Sequence, residues 1–173
     1  MSIHIMYLYL YLLLLIFALH YQKKMEIGKE IKQSKFKNEY QKMLINMLFT
    51  SGWLSAKHTC NIKPYGISTQ QFNILRILRG QHPKPATVNL LIDRMLDKNS
   101  NASRLVEKLR LKKLVGRAVC PDDRRAVNVI ITQKGLDLLD ELDKIDGNFL
   151  KELKNLSEKE AATMNLLLDK LRG

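Results

Sequence analysis

The residues with most to offer chemically lie between Gly116 and Gly135. Two acids and two arginines, Asp122, Asp123, Arg124 and Arg125, separate two short runs, Gly116–Cys120 and Ala126–Ile131. The alternation of Val127, Val129 and Ile131 is that of a strand with one buried face, and Pro121–Arg125 forms the connection of a hairpin. A guanidinium at such a tip can enter the minor groove of a duplex, where a narrow groove concentrates negative potential. Arg125 is placed for this. Asp123, two residues earlier, can hold that side chain extended through a charge-assisted hydrogen bond, or can simply form the turn. Arg124 suits a phosphate oxygen. Phosphate contacts set register, whereas base edges carry sequence information.

Upstream, Ser100, Asn101, Ser103, Arg104 and Lys108 cluster toward the start of a predicted helix, Asn101–Lys113. Ala102, Leu105, Val106 and Leu109 form its buried stripe, with Ser103, Arg104, Glu107 and Lys108 opposite. Either Asn99 or Ser100 can cap it. A helix fills a DNA major groove, where arginine pairs bidentately with guanine and asparagine with adenine. Alone, Arg104 and Lys108 read as readily as a solvated face around Glu107. The hairpin that follows favours DNA.

Other chemistries find little support. There is no nucleophile–base pair, metal cluster or phosphate-binding glycine loop, so no enzyme and no cofactor is expected. His58 and His82 are isolated. Cys60 and Cys120 are the only thiols and lack any CxxC or metal spacing. They fit a reducing compartment, and the expected location is cytoplasmic. Each reads as a small half-buried residue rather than a redox switch, and Cys120, near Arg117, Arg124 and Arg125, has the better case of the two as a sensor.

Charge locates the partner. Residues 76–134 carry 14 Lys/Arg against 5 Asp/Glu, whereas residues 135–173 carry 6 against 9. In a chain of net charge +12 the excess is therefore local, and a polyanion docks on the middle third. At 173 residues, 46% hydrophobic and 27% charged, the chain is one globular domain with appended helices.

The unbroken apolar run Ile5–Leu19 would span about 22 Å as a helix, short of a hydrocarbon core of about 30 Å. Only His4 precedes it, and "FALHYQ" is a poor cleavage site. Residues 1–24 are expected to be an over-long reading frame ahead of a start at Met25. The alternative is a membrane segment, with Lys23, Lys24, Lys29 and Lys32 keeping the bulk of the protein in the cytoplasm.

The positioning elements follow from periodicity. Lys35–Lys57 steps its apolar residues at three and four and is broken by Pro64 and Gly66. Ser68 and Gln71 have capping-box spacing for a helix that Gly80 stops. "GQHPKPA" is a turn-rich linker, and Val88–Leu96 is a short helix. After the hairpin, Thr132 caps a long helix lined by Leu138, Leu139, Leu142, Ile145, Phe149 and Leu153. Ser157 and Glu160 cap a last one, with Met164, Leu167, Leu168 and Leu171 apolar. The fold class is mainly α with a small β-hairpin wing: a winged helix-turn-helix.

Asp123-Arg124-Arg125-Ala126, Val129, Ile131-Thr132 and Gly135 resemble the D-x-R wing signature of the MarR family of bacterial transcription regulators. "SNASRLVEKLRLKKLVGR" resembles its recognition helix and the turn into its wing, and "GISTQQFNILRIL" its second helix. The resemblance covers about Lys35 to Leu171. It implies a homodimer binding a palindromic operator on double-stranded DNA, usually as a repressor. Residues 25–66 and 136–173 would supply dimerisation helices around a DNA-binding domain at 67–135. It makes Arg125 the minor-groove arginine, Asp123 its orienter, and Ser103 and Arg104 recognition-helix contacts. Lys113 departs from the family, which has a glycine there, so Lys113 must adopt an unfavourable backbone or the turn must differ. Gly116 stands in place of a usual polar residue.

Many relatives respond to phenolic or other aromatic effectors or to oxidants. Phe49, Trp53 and Tyr65 could line such a pocket, or be core. The rival function is a protein-interaction module of the same fold, tethered to a membrane through Ile5–Leu19, without operator binding.

Overall fold

The computed structural model describes residues 25–119 and 127–173. Cys120, the wing tip and the apolar run Ile5–Leu19 lie outside the described residues. The chain divides into two compact units, Met1–Leu54 and Ser55–Gly173.

The first unit holds a short helix α1 (Ile27–Glu30) and most of a long helix α2 (Glu39–Ile62). The Asn38 side chain accepts a hydrogen bond from the Gln41 backbone at 2.9 Å, and the Gln41 side chain accepts one from the Lys37 backbone at 2.6 Å. This reciprocal cap starts α2 later than the expected Lys35. The helix also outruns Lys57, because nothing before Pro64 removes a backbone donor. It gives way to a 3-10 turn, Lys63–Tyr65, closed by Gly66 at φ 68°.

The second unit continues with α3 (Thr69–Gln81), β1 (Ala86–Thr87), α4 (Val88–Arg94), α5 (Ala102–Leu111), β2 (Val115–Val119), β3 (Val127–Ile131), α6 (Gln133–Glu152) and α7 (Glu158–Arg172). The capping boxes at Ser68/Gln71 and Ser157/Glu160 form as expected, and Thr132 caps α6. Gly80 does not stop α3, which runs on to Gln81.

The sheet differs from a simple hairpin. It has three antiparallel strands in the order β1-β3-β2. Ala86 lies opposite Val129, and Val129 lies opposite Arg117 on its other side. Pro83 and Pro85 explain how a linker becomes an edge strand, since proline and the residue before it favour extended backbone. The core beneath the sheet joins Ile74, Leu75 and Leu78 of α3 to Leu91, Leu109, Val129, Leu139 and Leu142.

Recognition-helix candidate α5 ends in a Schellman turn. The Leu114 N–H donates to the Leu109 carbonyl at 3.1 Å and the Lys113 N–H to that of Arg110 at 2.9 Å. Lys113 takes the left-handed position, φ 62°, a backbone that favours glycine. A β-carbon there costs about 1–2 kcal/mol, partly offset by the greater backbone entropy glycine loses on folding. Lys113→Gly should therefore raise stability by about 0.5–1 kcal/mol, read as a higher denaturant midpoint at unchanged slope.

A charged clamp joins α3 to α6. Asp143 accepts hydrogen bonds from Arg79 (2.7 and 3.1 Å) and from Arg76 (2.7 Å). The Arg79 hydrogen bonds hold the Asp143 carboxyl below its ordinary value of 3.8, against the opposing effect of burial, with the nearby charges of Arg79 and Arg76 adding to the lowering. A folded-state pKa that is depressed stabilises the fold above the unfolded value and loses that contribution as pH falls through the folded one. Asp143→Asn should cost about 0.5–1 kcal/mol at pH 7, because water still screens these half-exposed partners. The gap to the unsubstituted protein, followed by thermal melts, should close only in strong acid.

Candidate nucleic-acid interface

The α4–turn–α5 segment is built by side chains bonding to backbone. Asp97 accepts from the Asn99 N–H at 3.1 Å and from the Ser100 hydroxyl at 2.8 Å. The Lys98 ammonium covers the carbonyls of Ile92 and Asp93 at the end of α4, and the Asn73 side chain holds the Leu96 N–H at 3.0 Å. Asn101, rather than Asn99 or Ser100, is the N-cap of α5: its side-chain oxygen accepts from the Arg104 N–H at 2.9 Å. The expected cap is displaced because Asp97 already claims both earlier residues.

This assigns the candidate site residues different standing. Ser100 has its hydroxyl engaged within the turn, and Asn101 has its oxygen engaged as the cap. Ser103, Arg104 and Lys108 are exposed on one face of α5, and the opposite face buries Ala102, Val106 and Leu109. Leu105, expected in that stripe, is half-buried. The Arg104 and Lys108 side chains make no bond to any described residue, so this face carries two cations without a partner among the described residues.

Glu107 lies between these free cations and the sheet. Its carboxylate accepts from Arg110 Nε (2.9 Å) and Nη2 (2.7 Å) and from Arg117 Nη2 (3.4 Å) on β2. The Arg110 hydrogen bonds hold the Glu107 carboxyl below its ordinary range. Asp123, Arg124 and Arg125 lie outside the described residues. The stem that carries them is described, from the pair Val115–Ile131 to the pair Val119–Val127.

The base of the stem is locked to α6. The Thr132 N–H donates to the Leu114 carbonyl at 3.1 Å, and its hydroxyl donates to the Lys113 carbonyl at 2.8 Å and accepts from the Gly135 N–H at 3.2 Å. One threonine thus ties together the end of α5, the stem and the first turn of α6. A free cationic helix face and a strand pair are set in one frame through these bonds.

Residues 65–126 match the MarR family. Over that segment the chain is similar to the MarR family. The match takes in α3, β1, α4, α5 and β2, the elements that carry or orient the site. Among curated proteins the chain is similar to the HTH-type transcriptional regulator MhqR of Bacillus subtilis, 29% identical over 82 residues. That alignment covers 47% of this chain and 55% of MhqR, so the chain spans about half the length of that relative. Among solved structures it resembles the Staphylococcus aureus MepR–DNA complex, with a TM-score of 0.66 at 25% identity over 79% of this chain and 97% of the other. It also shares its fold with Bordetella bronchiseptica BpsR, with a TM-score of 0.66 at 21% identity over 80% of this chain and 97% of that one. The MarR-family winged helix expected from the D-x-R and recognition-helix residues is the fold observed.

Sequence reasoning missed three connections: Arg76 and Arg79 to Asp143, Glu107 to Arg117, and Thr132 to Lys113. None of the three has a signal in the spacing; the one-turn separation of Glu107 and Arg110 marks only their own pair. Of the aromatic residues expected near an effector, Phe49 and Trp53 belong to the first unit. Tyr65 lines an open cleft of about 620 Å3 in the second, with Leu111, Lys113, Lys134, Leu138 and Glu141. Among the described residues no helix is long and apolar enough to cross a membrane, and no group of His, Cys, Asp or Glu is arranged to hold a metal ion.

Proposed function

We propose that this chain is a sequence-specific DNA-binding transcription regulator that acts as a homodimer on a palindromic operator, most simply as a repressor. The observation that carries this is the free Ser103–Arg104–Lys108 face, presented by a helix whose start is rigidly capped. The helix enters the major groove with its first turns on base edges, Arg104 reading guanine. The wing follows along the backbone, Arg124 on a phosphate and Arg125 in the minor groove, oriented by Asp123. Ser100 and Asn101 approach the backbone through the groups that their turn and cap bonds leave free.

Residues 25–66 and 136–173 supply the dimerisation helices. The exposed apolar residues Leu150, Leu153, Met164, Leu167 and Leu171 support this, since a single chain leaves them in water. An aromatic effector fits the same scheme. BpsR is regulated in its DNA binding by 6-hydroxynicotinic acid, and Tyr65 with Lys113 and Lys134 offers a ring and two ammonium groups to such an acid.

Selection from a pool of random duplexes, with sedimentation of the complex, tests the proposal. The expected winner is an inverted repeat bound by two chains. Recovery of no preferred sequence, or a bound monomer, contradicts it.

A further inference from the structure

An acid on a DNA-facing surface needs a reason. Glu107 sits on the recognition helix next to Lys108 and one turn from Arg104, where its charge repels phosphate. Removing it would, by charge alone, tighten binding to every duplex. Yet both of its carboxylate oxygens are engaged. It grips the Arg110 guanidinium at both oxygens, 2.9 and 2.7 Å, and reaches Arg117 Nη2 on β2 at 3.4 Å. Arg117 is well exposed, and its Nε and Nη1 bond to no described residue. Its backbone is fixed by pairing with Val129, which is fully buried.

We infer that Glu107 is a positioning residue: it gathers Arg110 and Arg117 into one guanidinium pair that spans the recognition helix and the wing stem, and aims the free edge of Arg117 at a phosphate. This rests on the DNA-binding proposal above and adds to it which residue sets the wing's register against the helix. A flexible arginine contacts any phosphate it meets. One held by a carboxylate contacts a phosphate only when helix and wing both sit in register, and so discriminates between duplexes.

The test compares the full-length protein with Glu107→Gln, Arg117→Ala and the double variant. Each is titrated against the selected duplex and against an unrelated duplex of equal length, over a range of salt. Arg117→Ala should lower the log–log salt slope on the selected duplex by about 0.9, the loss of one phosphate contact. Glu107→Gln should lower affinity for the selected duplex by about tenfold, the scale of one charge-assisted hydrogen bond, while affinity for the unrelated duplex stays level or rises. In the Arg117→Ala background the same substitution should no longer reduce discrimination. Thermal melts of Glu107→Gln should match the parent to within a few degrees, because exposed pairs contribute little to stability.

Glu107→Gln tightening binding to both duplexes equally would show a bulk-charge role and overturn the inference. So would independent effects of the two substitutions. If the unsubstituted protein binds neither duplex, the DNA-binding proposal fails and this inference fails with it. Binding by the parent with additive variants overturns only the inference.

Discussion

Gly135→Ala should destabilise the protein by about 2 kcal/mol, the cost of inserting an atom into a packed site. The direction is informative because local propensity predicts the opposite. Gly135 lies in the first turn of α6, and in an exposed helix alanine is favoured over glycine by about 1 kcal/mol. Here a β-carbon would lie 2.4 Å from the Leu114 carbonyl oxygen and 2.7 Å from Ile131 Cγ1. The carbonyl belongs to the backbone that Thr132 holds at 3.1 Å, so it cannot swing aside as a flexible side chain would. Overpacking therefore outweighs helix propensity. Denaturant melts of the variant should show a lower midpoint, and relief of the clash should loosen the Lys113–Thr132 bond that anchors the stem. An unchanged or raised midpoint would mean that α6 and the stem are not in this close contact.

Arg104→Ala should weaken binding to the selected duplex by about 10–100-fold, since one bidentate arginine–guanine contact is worth about 1–3 kcal/mol. The loss should be concentrated at one base pair of each half-site, and re-selection with the variant should relax that position alone. Lys108→Ala provides the contrast. A lysine on phosphate should weaken all duplexes alike and lower the salt slope by about 0.9 per contact. The geometry supports the distinction. The Arg104 backbone is fixed by the Asn101 cap at 2.9 Å, which limits the positions its side chain can reach, whereas Lys108 stands a turn further on. An equal loss on every sequence for Arg104→Ala would make it a phosphate contact, and the reading frame of the helix would have to be redrawn.

What was legible in the sequence was whatever local chemistry decides. The Ser68/Gln71 and Ser157/Glu160 boxes, the Thr132 cap and the Ala102–Val106–Leu109 stripe of α5 depend on residues within one or two turns, and each is found where the residue types place it, with Leu105 half-buried at the margin of the stripe. At Lys113 the sequence left two outcomes open, a different turn or an unfavourable backbone, and the second is found. Competition and distance were harder. Asn99 and Ser100 are good capping residues, but Asp97 takes the amide of one and the hydroxyl of the other, which leaves the cap to Asn101. The pairing of Ala86 with Val129 joins residues far apart in the chain, and the segment around it has the composition of a turn. The Asp143 clamp looks from sequence like ordinary solvated charge on two separate helices. No one-dimensional period marks a partner 64 or 67 residues away.

In the proposed function, the charge gathered on residues 76–134 acts on duplex DNA through α5 and the wing. The most direct test of this role is fluorescence anisotropy of the protein on the DNA upstream of its own coding sequence, at several salt concentrations, beside Arg125→Ala. Tight binding is expected, with a steep negative dependence of log affinity on log salt, and with a shallower slope and lower affinity in the variant. No binding at low salt, or a variant indistinguishable from its parent, would contradict it and leave the protein-interaction role as the better account of the fold.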